Sequence, residues 1–206
     1  MNLGRKFSPE NLGIFYIHKM PQPHAQNFLF NHVLGAQKWP QYVHEFGGLN
    51  GKVPDWILWV EDDACPPPDG FNLLRSKADP IARPVMHGIS FDRAMPHSPS
   101  IWREADGRIA PIHDWKDDSV YQVSHSGTCF CLIHSSAFKK MERPWFEMRP
   151  PEPGCDSILC CRSLSQRMHE AEIPIMAYTG CIVTHMGEHV EIGPAISRGI
   201  HARSIS

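Results

Sequence analysis

Three acidic residues directly follow an apolar run in the first third of the chain. Trp56–Val60 reads WILWV, and Glu61, Asp62 and Asp63 come next. Carboxylate oxygens are the ligands that hard divalent cations such as Mg²⁺ and Mn²⁺ prefer, and an ion held by two carboxylates keeps positions open for a diphosphate. Glu61 and Asp63 are therefore the predicted metal-binding pair. Asp62, between them, is a further candidate for binding the ligand that carries the diphosphate.

A bare acid-x-acid pattern has low specificity. With 22 acidic residues among 206, roughly two such matches arise by chance. The setting gives this match its weight, because ligands of open α/β sheets bind outside the carboxyl ends of strands. A solvated turn after the strand is the alternative interpretation, and it stays open at this point.

Further segments of the chain, taken in order, resemble the motifs of GT-A glycosyltransferases, especially those of family 2 of phage or bacterial type. The segments are WILWVEDDACPPPDGF, SHSGTCFCLIHSSAF, ERPWF, DSILCCRSLSQRMHEAEIPI and VTHMG. They resemble, respectively, the D-x-D segment, the G-T-G-F-x-L-I-R block, the short aromatic segment, the E-D-x-x-F-C-x-R helix and the closing histidine. Each motif is degenerate, but their shared order over residues 55–190 is specific.

The resemblance implies roles for individual residues. Asp63 is implied to bind a catalytic Mn²⁺ or Mg²⁺ directly, and Glu61, in place of the usual first aspartate, to bind the metal or the donor ribose. His185 is implied to complete the metal site. Asp156 matches the general base that deprotonates the acceptor hydroxyl, and Cys155 replaces the glutamate that usually precedes it. The alternatives for Asp156 and His185 are a helix N-cap and a core histidine.

Two short segments are further candidates for substrate binding. Gly127 lacks a side chain that would hold a ligand away, so Gly127 and Thr128 are predicted to lie against the donor sugar. Trp145 and Phe146 are candidates for stacking on an acceptor ring. A β-bulge at Gly127, and core positions for the two aromatic residues, are the structural alternatives.

These assignments predict a metal-dependent glycosyltransferase that moves a sugar from a nucleotide-diphosphate sugar to an unidentified acceptor. A divalent ion stabilises charge on the leaving phosphate, and a carboxylate base contributes a factor of roughly 10² to 10⁴. With Asp156 as base and no second carboxylate nucleophile evident, the transfer is predicted to be inverting. The alternatives are a non-catalytic relative that binds a nucleotide-sugar or glycan, and a metal-dependent hydrolase, although HxH and HExxH patterns do not occur in the sequence.

The elements that must position these residues alternate between strands and helices. Predicted strands cover 11–20, 56–60, 84–90, 120–134 and two segments near the C-terminus, and predicted helices cover 24–37, 70–77, 135–141 and 156–171. This pattern, with the resemblance, predicts an α/β fold: a single GT-A type, Rossmann-like domain over 1–190. It would have a mostly parallel central sheet flanked by helices, a shortened N-terminal nucleotide-binding unit and a tail at 191–206. Residues 39–55 and 92–120 are predicted to be loops.

Composition argues against several other classes. The formal net charge is -2 and Lys and Arg form no run, so general nucleic-acid binding is not expected. No apolar window is long enough for a membrane span. The seven cysteines contain no CxxC pair and suggest no disulfide framework, so we expect a reducing, cytoplasmic setting in which most thiols are buried small hydrophobic groups.

Overall fold

A computed structural model describes residues 13–17, 24–35, 43–47, 52–92, 97–147, 160–186 and 191–192. The described helices are α1 (His24–Val33), α2 (Gly70–Lys77), α3 (Ser135–Lys139) and α4 (Cys160–Glu170). The described strands are β1 (Gly13–Ile17), β2 (Val43–Gly47), β3 (Trp56–Val60), β4 (Ala64–Cys65), β5 (Val85–Ile89), β6 (Ile101–Ala105), β7 (Arg108–Pro111), β8 (Val120–Val123), β9 (His125–Ser126), β10 (Phe130–His134), β11 (Ile175–Ile182), β12 (Thr184–Met186) and β13 (Glu191–Ile192).

The central sheet has five strands in the order β3-β10-β5-β11-β8. Only β5 and β11 are parallel neighbours, and the other three pairs are antiparallel. The prediction of a mostly parallel, Rossmann-like sheet is therefore wrong. The molecule is a mixed α/β structure with a mostly antiparallel sheet. Alternation of strands and helices along a chain does not determine strand direction, and here β10 inserts between β3 and β5 in the opposite direction.

Strand direction nevertheless brings several strand ends to one edge of the sheet. Two antiparallel steps, from β3 to β10 and from β10 to β5, restore the original direction, and β11 is parallel to β5. Thus β3, β5 and β11 all run the same way and end at the same edge, where β10 begins. The residues that follow these three strands can therefore converge there.

The apolar run of β3 was predicted to be a central strand, but β3 lies at the edge of the described sheet, paired there with β10. Leu58 is 36% exposed and Val60 44%. On the opposite face, Trp59 stacks on Phe30 of α1 with ring centroids 5.2 Å apart. The run thus has one buried and one partly exposed face, because successive residues of a strand point to opposite sides.

Hydrophobic side chains fill the space on both faces of the central sheet. The face on which α1, α3 and α4 pack includes Phe30, Phe138, Leu164 and Met168, all at most 3% exposed. The other face includes Leu74 of α2, which is fully buried. Neighbouring residues of one strand contribute to opposite faces, as the period of two requires: Val85 belongs to the first cluster, and Met86 to the second.

Two segments that were predicted to be loops contain strands. Within 92–120, β6 and β7 form a hairpin whose two-residue turn is Asp106-Gly107, with φ of 52° and 71°. An Asp-Gly pair with both residues at positive φ is a preferred turn for a tight hairpin. Within 39–55, β2 pairs with β1.

The helices largely agree with the predicted positions, with differences at their ends. The N-cap of α3 is His134 and not the predicted Ser135, because the His134 side chain accepts a hydrogen bond from the Ser136 amide. The described part of α4 begins at Cys160, and the predicted start at Asp156 lies outside the described residues. Among the described helices, none combines the length and the apolar character that crossing a lipid bilayer requires.

Candidate metal centre

The candidate centre forms where the chain turns after β3. The Glu61 amide donates to the Cys129 carbonyl at 2.9 Å, which extends the pairing of β3 with β10 by one step. The Ala64 amide donates to the Glu61 carbonyl at 3.1 Å and closes a tight turn into β4. These backbone bonds hold the acidic turn at the edge of the sheet, beside the residues that precede β10.

A second backbone connection brings His185 to the same place. Strands β4 and β12 are antiparallel, with His185 opposite Ala64, and the Met186 amide donates to the Asp63 carbonyl at 2.9 Å. Upstream, the Val183 amide donates to the Ile89 carbonyl at 2.8 Å. This close approach requires Gly88. A Cβ there would lie 2.8 Å from a methyl carbon of Val183 and 3.1 Å from the carbonyl oxygen of Cys181.

Four side chains with metal-binding chemistry converge at this edge. The ligand atoms of Glu61, Asp63, Cys129 and His185 all lie within 4.8 Å of one another. We call these four residues the ligand cluster. His185 Nε2 is 3.3 Å from Asp63 Oδ2, and the two side chains are 13% and 24% exposed. The cluster is therefore largely shielded but still reached by solvent, as a site that exchanges ligands needs to be.

The orientation of His185 is set by its other ring nitrogen. Nδ1 lies 2.8 Å from the Phe91 carbonyl, and because a carbonyl can only accept, Nδ1 carries the proton. In the neutral ring, Nε2 then presents a lone pair toward the carboxylates, and this buried atom has no hydrogen-bond partner among the described residues. A lone pair facing a carboxylate oxygen is repulsive unless a proton or a metal ion lies between them. Histidine ligands of metal ions are oriented by partners of this kind.

Glu61 is oriented and perturbed by its surroundings. The Thr128 hydroxyl donates to Glu61 Oε1 at 2.7 Å. Burial raises the pKa of the Glu61 carboxyl above its ordinary value, and the nearby Asp63 carboxylate adds to the rise, whereas the Thr128 hydrogen bond and His185 oppose it. The cluster thus places carboxylates where water solvates them poorly, which costs free energy. A bound cation would offset this desolvation cost.

Asp92 brings another carboxyl group close to His185. The Ser100 hydroxyl donates to Asp92 Oδ1 at 3.2 Å. Burial raises the pKa of Asp92, while this hydrogen bond and the nearby imidazoles of His185 and His97 oppose the rise. Asp92 was not among the predicted site residues, because it falls in a polar stretch that was predicted to be a loop and no motif marks it.

The structure brings together the three predicted metal ligands, Glu61, Asp63 and His185. Asp62 is exposed on the same turn and is not one of the four clustered side chains. The predicted base, Asp156, lies outside the described residues.

Of the predicted sugar-binding pair, Thr128 is buried and Gly127 is half-buried. Thr128 is 3% exposed and holds Glu61. A Cβ at Gly127 would lie 3.0 Å from the Ser100 Cβ, so the missing side chain serves close packing against that serine. The Gly127 carbonyl accepts from His87 Nδ1 at 3.0 Å. Both residues therefore support the site from within the fold.

Trp145 and Phe146 are core residues, 2% and 1% exposed. The prediction that they stack on an acceptor ring is wrong, and the alternative, that both residues occupy core positions, is confirmed. Phe146 packs near Phe30 with ring centroids 5.4 Å apart, and Trp145 meets Phe138 edge-on at 5.0 Å. Both rings thus pack inside the fold, and the Arg143 guanidinium lies over the Trp145 ring, 5.1 Å from its centroid.

Cys129 is the member of the cluster that sequence reasoning missed. It was expected to be a buried small hydrophobic residue, and it is only 4% exposed. Its sulfur nevertheless lies with the three predicted ligands. Its position directly after Thr128 was visible in the sequence, but the pairing of this segment with the end of β3 was not, because pairing between distant segments leaves no local signal.

Comparisons with known proteins add little to this description. No family model and no curated protein matches the sequence. Among solved structures, the chain is similar to the crystal structure of A197 from STIV, with a TM-score of 0.47 and 16% sequence identity. The similarity covers 69% of this chain and 63% of the A197 chain, so the match spans less than two thirds of A197. A likeness at this level carries no functional argument.

Proposed function

We propose that this chain is a metal-dependent glycosyltransferase that moves a sugar from a nucleotide-diphosphate sugar to an acceptor. One observation carries the proposal: His185 is far from Glu61 and Asp63 in the sequence, yet the ligand atoms of all three meet at the edge where β3 ends. The family resemblance of the sequence implies the same combination of residues. The proposal does not depend on a mostly parallel sheet, because β3 and β11, which lead to Glu61 and His185, run in the same direction although they are not neighbours.

In this proposal, the chain holds the ion and orients its ligands. Glu61, Asp63 and His185 would hold Mn²⁺ or Mg²⁺, which when bound supplies a positive charge for the leaving diphosphate. Thr128 fixes one oxygen of Glu61, and the Phe91 carbonyl fixes the His185 ring. Such partners of metal ligands hold the donor atoms in place and prevent the ring from turning away.

Donor and acceptor roles follow the same assignment. Asp62, exposed beside the cluster, is proposed to contact the donor. Asp156 is proposed to be the base of an inverting transfer. The helix that follows it, α4, is tied to the site segment, because the Ser126 amide donates to Ser165 Oγ at 3.3 Å and β9 leads directly into Gly127. A cytoplasmic location remains part of the proposal.

The second candidate is a relative that binds a nucleotide-sugar or glycan without transferring the sugar. It predicts the same metal dependence of donor binding but no loss of the sugar from the donor. A hydrolase predicts release of the sugar to water whatever acceptor is present.

Incubation with a panel of nucleotide-diphosphate sugars, with Mn²⁺ or with a chelator, tests the proposal. We expect one donor to release free nucleoside diphosphate only with metal, and faster when a suitable acceptor is added. Asp63→Asn should abolish this release, and Asp69→Asn should not, because Asp69 is exposed and its side chain makes no capping hydrogen bond. Metal-dependent donor binding without release would identify the non-catalytic relative. No binding of any donor would reject both.

A further inference from the structure

We infer that Cys129 is a fourth ligand of the metal, and that the ligand cluster binds Zn²⁺ in preference to Mn²⁺ and Mg²⁺. The inference rests on the metal-binding part of the proposed function and not on sugar transfer. It revises the ion expected from the sequence, because that expectation was based on the carboxylates and on family resemblance.

The position of Cys129 is set by the backbone and not by a flexible side chain. Its carbonyl accepts from the Glu61 amide at 2.9 Å, and the next residue, Phe130, lies opposite Val60 in the antiparallel pair. Its sulfur is within 4.8 Å of the ligand atoms of the other three cluster members. A ligand held in this way is preorganised, since little further ordering is needed when the ion binds.

Two other cysteines of the described chain show how a thiol lies within the apolar core. Cys131 and Cys181 are fully buried within the two apolar clusters, and neither belongs to the ligand cluster. Burial raises the pKa of the Cys181 thiol to about 12, with Asp69 adding to the rise. That thiol therefore stays protonated at neutral pH. Cys129 differs from both in facing two carboxylates and an imidazole.

Ligand chemistry favours zinc at such a site. Mg²⁺ requires oxygen ligands in near-octahedral geometry, and Mn²⁺ also prefers oxygen, whereas thiolate and imidazole select Zn²⁺ among the common divalent ions. Zinc is usually tetrahedral with Cys, His and carboxylate ligands, and it sometimes expands to five ligands at catalytic sites. With four protein ligands, a phosphate oxygen could bind only in that five-coordinate state. Binding forms a zinc–sulfur bond and releases the thiol proton to solvent.

The test measures metal affinity on the full-length chain after removal of metals with a chelator. Competition with a chromophoric chelator should give tighter binding of Zn²⁺ than of Mn²⁺, on the order of 100-fold, as the order of divalent affinities and the sulfur ligand require. Cys129→Ser should weaken Zn²⁺ binding by at least about 100-fold, because losing even a partner of a ligand costs roughly 10- to 100-fold. It should change Mn²⁺ binding much less.

Cys65→Ser is the matched control, because Cys65 is exposed, lies two residues after Asp63 and is not in the cluster. It should leave both affinities unchanged. A variant that simply loosens the fold would lower Zn²⁺ and Mn²⁺ binding together, so the ratio of the two affinities separates ligation from folding.

Cobalt gives a measurement that needs no variant. Co²⁺ bound to the unsubstituted chain should show the near-ultraviolet absorption of a sulfur-to-cobalt charge transfer, and Zn²⁺ should displace it. Absence of that band while Co²⁺ is bound, or an equal preference for Mn²⁺, would overturn the inference but leave the proposed function standing. Failure to bind any of these ions would overturn both.

Discussion

Two clusters of polar side chains in this molecule differ in how their buried donor and acceptor atoms are paired. In the first, the side chain of Asn27 on α1 bridges to the segment after α3. Its Nδ2 donates to the Phe146 carbonyl at 2.7 Å, and its Oδ1 accepts from the amides of Trp145 at 3.0 Å and Phe146 at 3.1 Å. Donors meet acceptors on both sides of the amide. This Asn27 cluster is complete without any ligand.

In the ligand cluster, by contrast, two carboxylates lie beside a buried imidazole nitrogen. His185 Nε2 and Asp63 Oδ2 are 3.3 Å apart, and Glu61 has a raised pKa because of burial and because Asp63 lies nearby. Burying neighbouring carboxylates costs stability, because each loses solvation and like charges repel. We therefore expect the Asn27 cluster to stabilise the fold, and the ligand cluster to lower the stability of the metal-free protein.

The largest expected effect comes from removing a charge from the ligand cluster. Asp63→Asn should reduce metal-dependent turnover by roughly 10³-fold, since a bound ion contributes several kcal/mol to transition-state stabilisation. The free energy of unfolding of the metal-free protein should stay the same or rise, because one of two adjacent carboxylates is gone. Steady-state kinetics and urea unfolding with a chelator measure the two quantities. A large loss of stability in Asp63→Asn would remove the contrast with Asn27.

The converse experiment targets the Asn27 cluster. Asn27→Ala removes three hydrogen bonds and leaves the amides of Trp145 and Phe146 without this acceptor, which should lower the free energy of unfolding by about 3 kcal/mol. Metal affinity of the folded protein should be unchanged. Asn31→Ala is the control, because the Asn31 side chain donates within α1, to the Asn27 carbonyl at 2.7 Å. Equal destabilisation by both variants would contradict the special role of Asn27.

His87 is a third buried polar group, and the fold accommodates its side chain only in the neutral form. Burial lowers its pKa from 6.5 to about 4, while its hydrogen bond to Gly127 opposes the change. Between these values the unfolded chain takes up a proton that the native state does not, so stability falls as pH falls. From pH 6.5 to about pH 5, the free energy of unfolding should fall by about 2 kcal/mol because of His87.

We expect His87→Gln to lose this part of the pH dependence in urea unfolding measured at several pH values. Part of the slope should remain, because burial also lowers the pKa of His125 to about 4. A His87→Gln curve parallel to that of the unsubstituted protein would show that His87 does not titrate in this way.

The smallest expected effect concerns the hydroxyl that orients Glu61. Thr128→Val should weaken metal binding by roughly 10-fold, the lower limit for losing a partner of a metal ligand. Thr128→Ser keeps the hydroxyl and should retain most of the affinity. Because Thr128 is 3% exposed, isothermal titration should be paired with a thermal melt of each metal-free variant. Equal weakening by valine and serine would assign the effect to packing and not to the hydrogen bond to Glu61.

Local features of the structure were predictable because they depend on neighbouring residues. The β-strand at Trp56–Val60 and the acidic turn after it follow from an apolar run that ends in charged residues. Leu164 and Met168 of α4 line a buried helix face, as their spacing predicted. The Asp106-Gly107 turn was also marked in the sequence, but the polar composition around it led to the prediction of a loop.

Strand direction and the pairing of distant strands were not predictable from the sequence. They determine which further residues join Glu61 and Asp63 in the site. Neither the antiparallel insertion of β10 nor the pairing of β4 with β12 leaves a local pattern in the sequence. Cys129 belongs to the ligand cluster for that reason alone. The side chains of Trp145 and Phe146 are compatible with a binding surface or with a core, and only packing against Phe30 and Phe138 places them inside.

By itself, the sequence determined the residue types that can bind a cation and the strand that delivers two of them to a sheet edge, because side-chain chemistry and hydrophobic periodicity are local properties. The tertiary structure decided which distant residues join them. It brought His185 and Cys129 to Glu61 and Asp63 through backbone pairing between β-strands. Such pairing is selected by the packing of the whole chain, since its hydrogen bonds are the same whatever the side chains are.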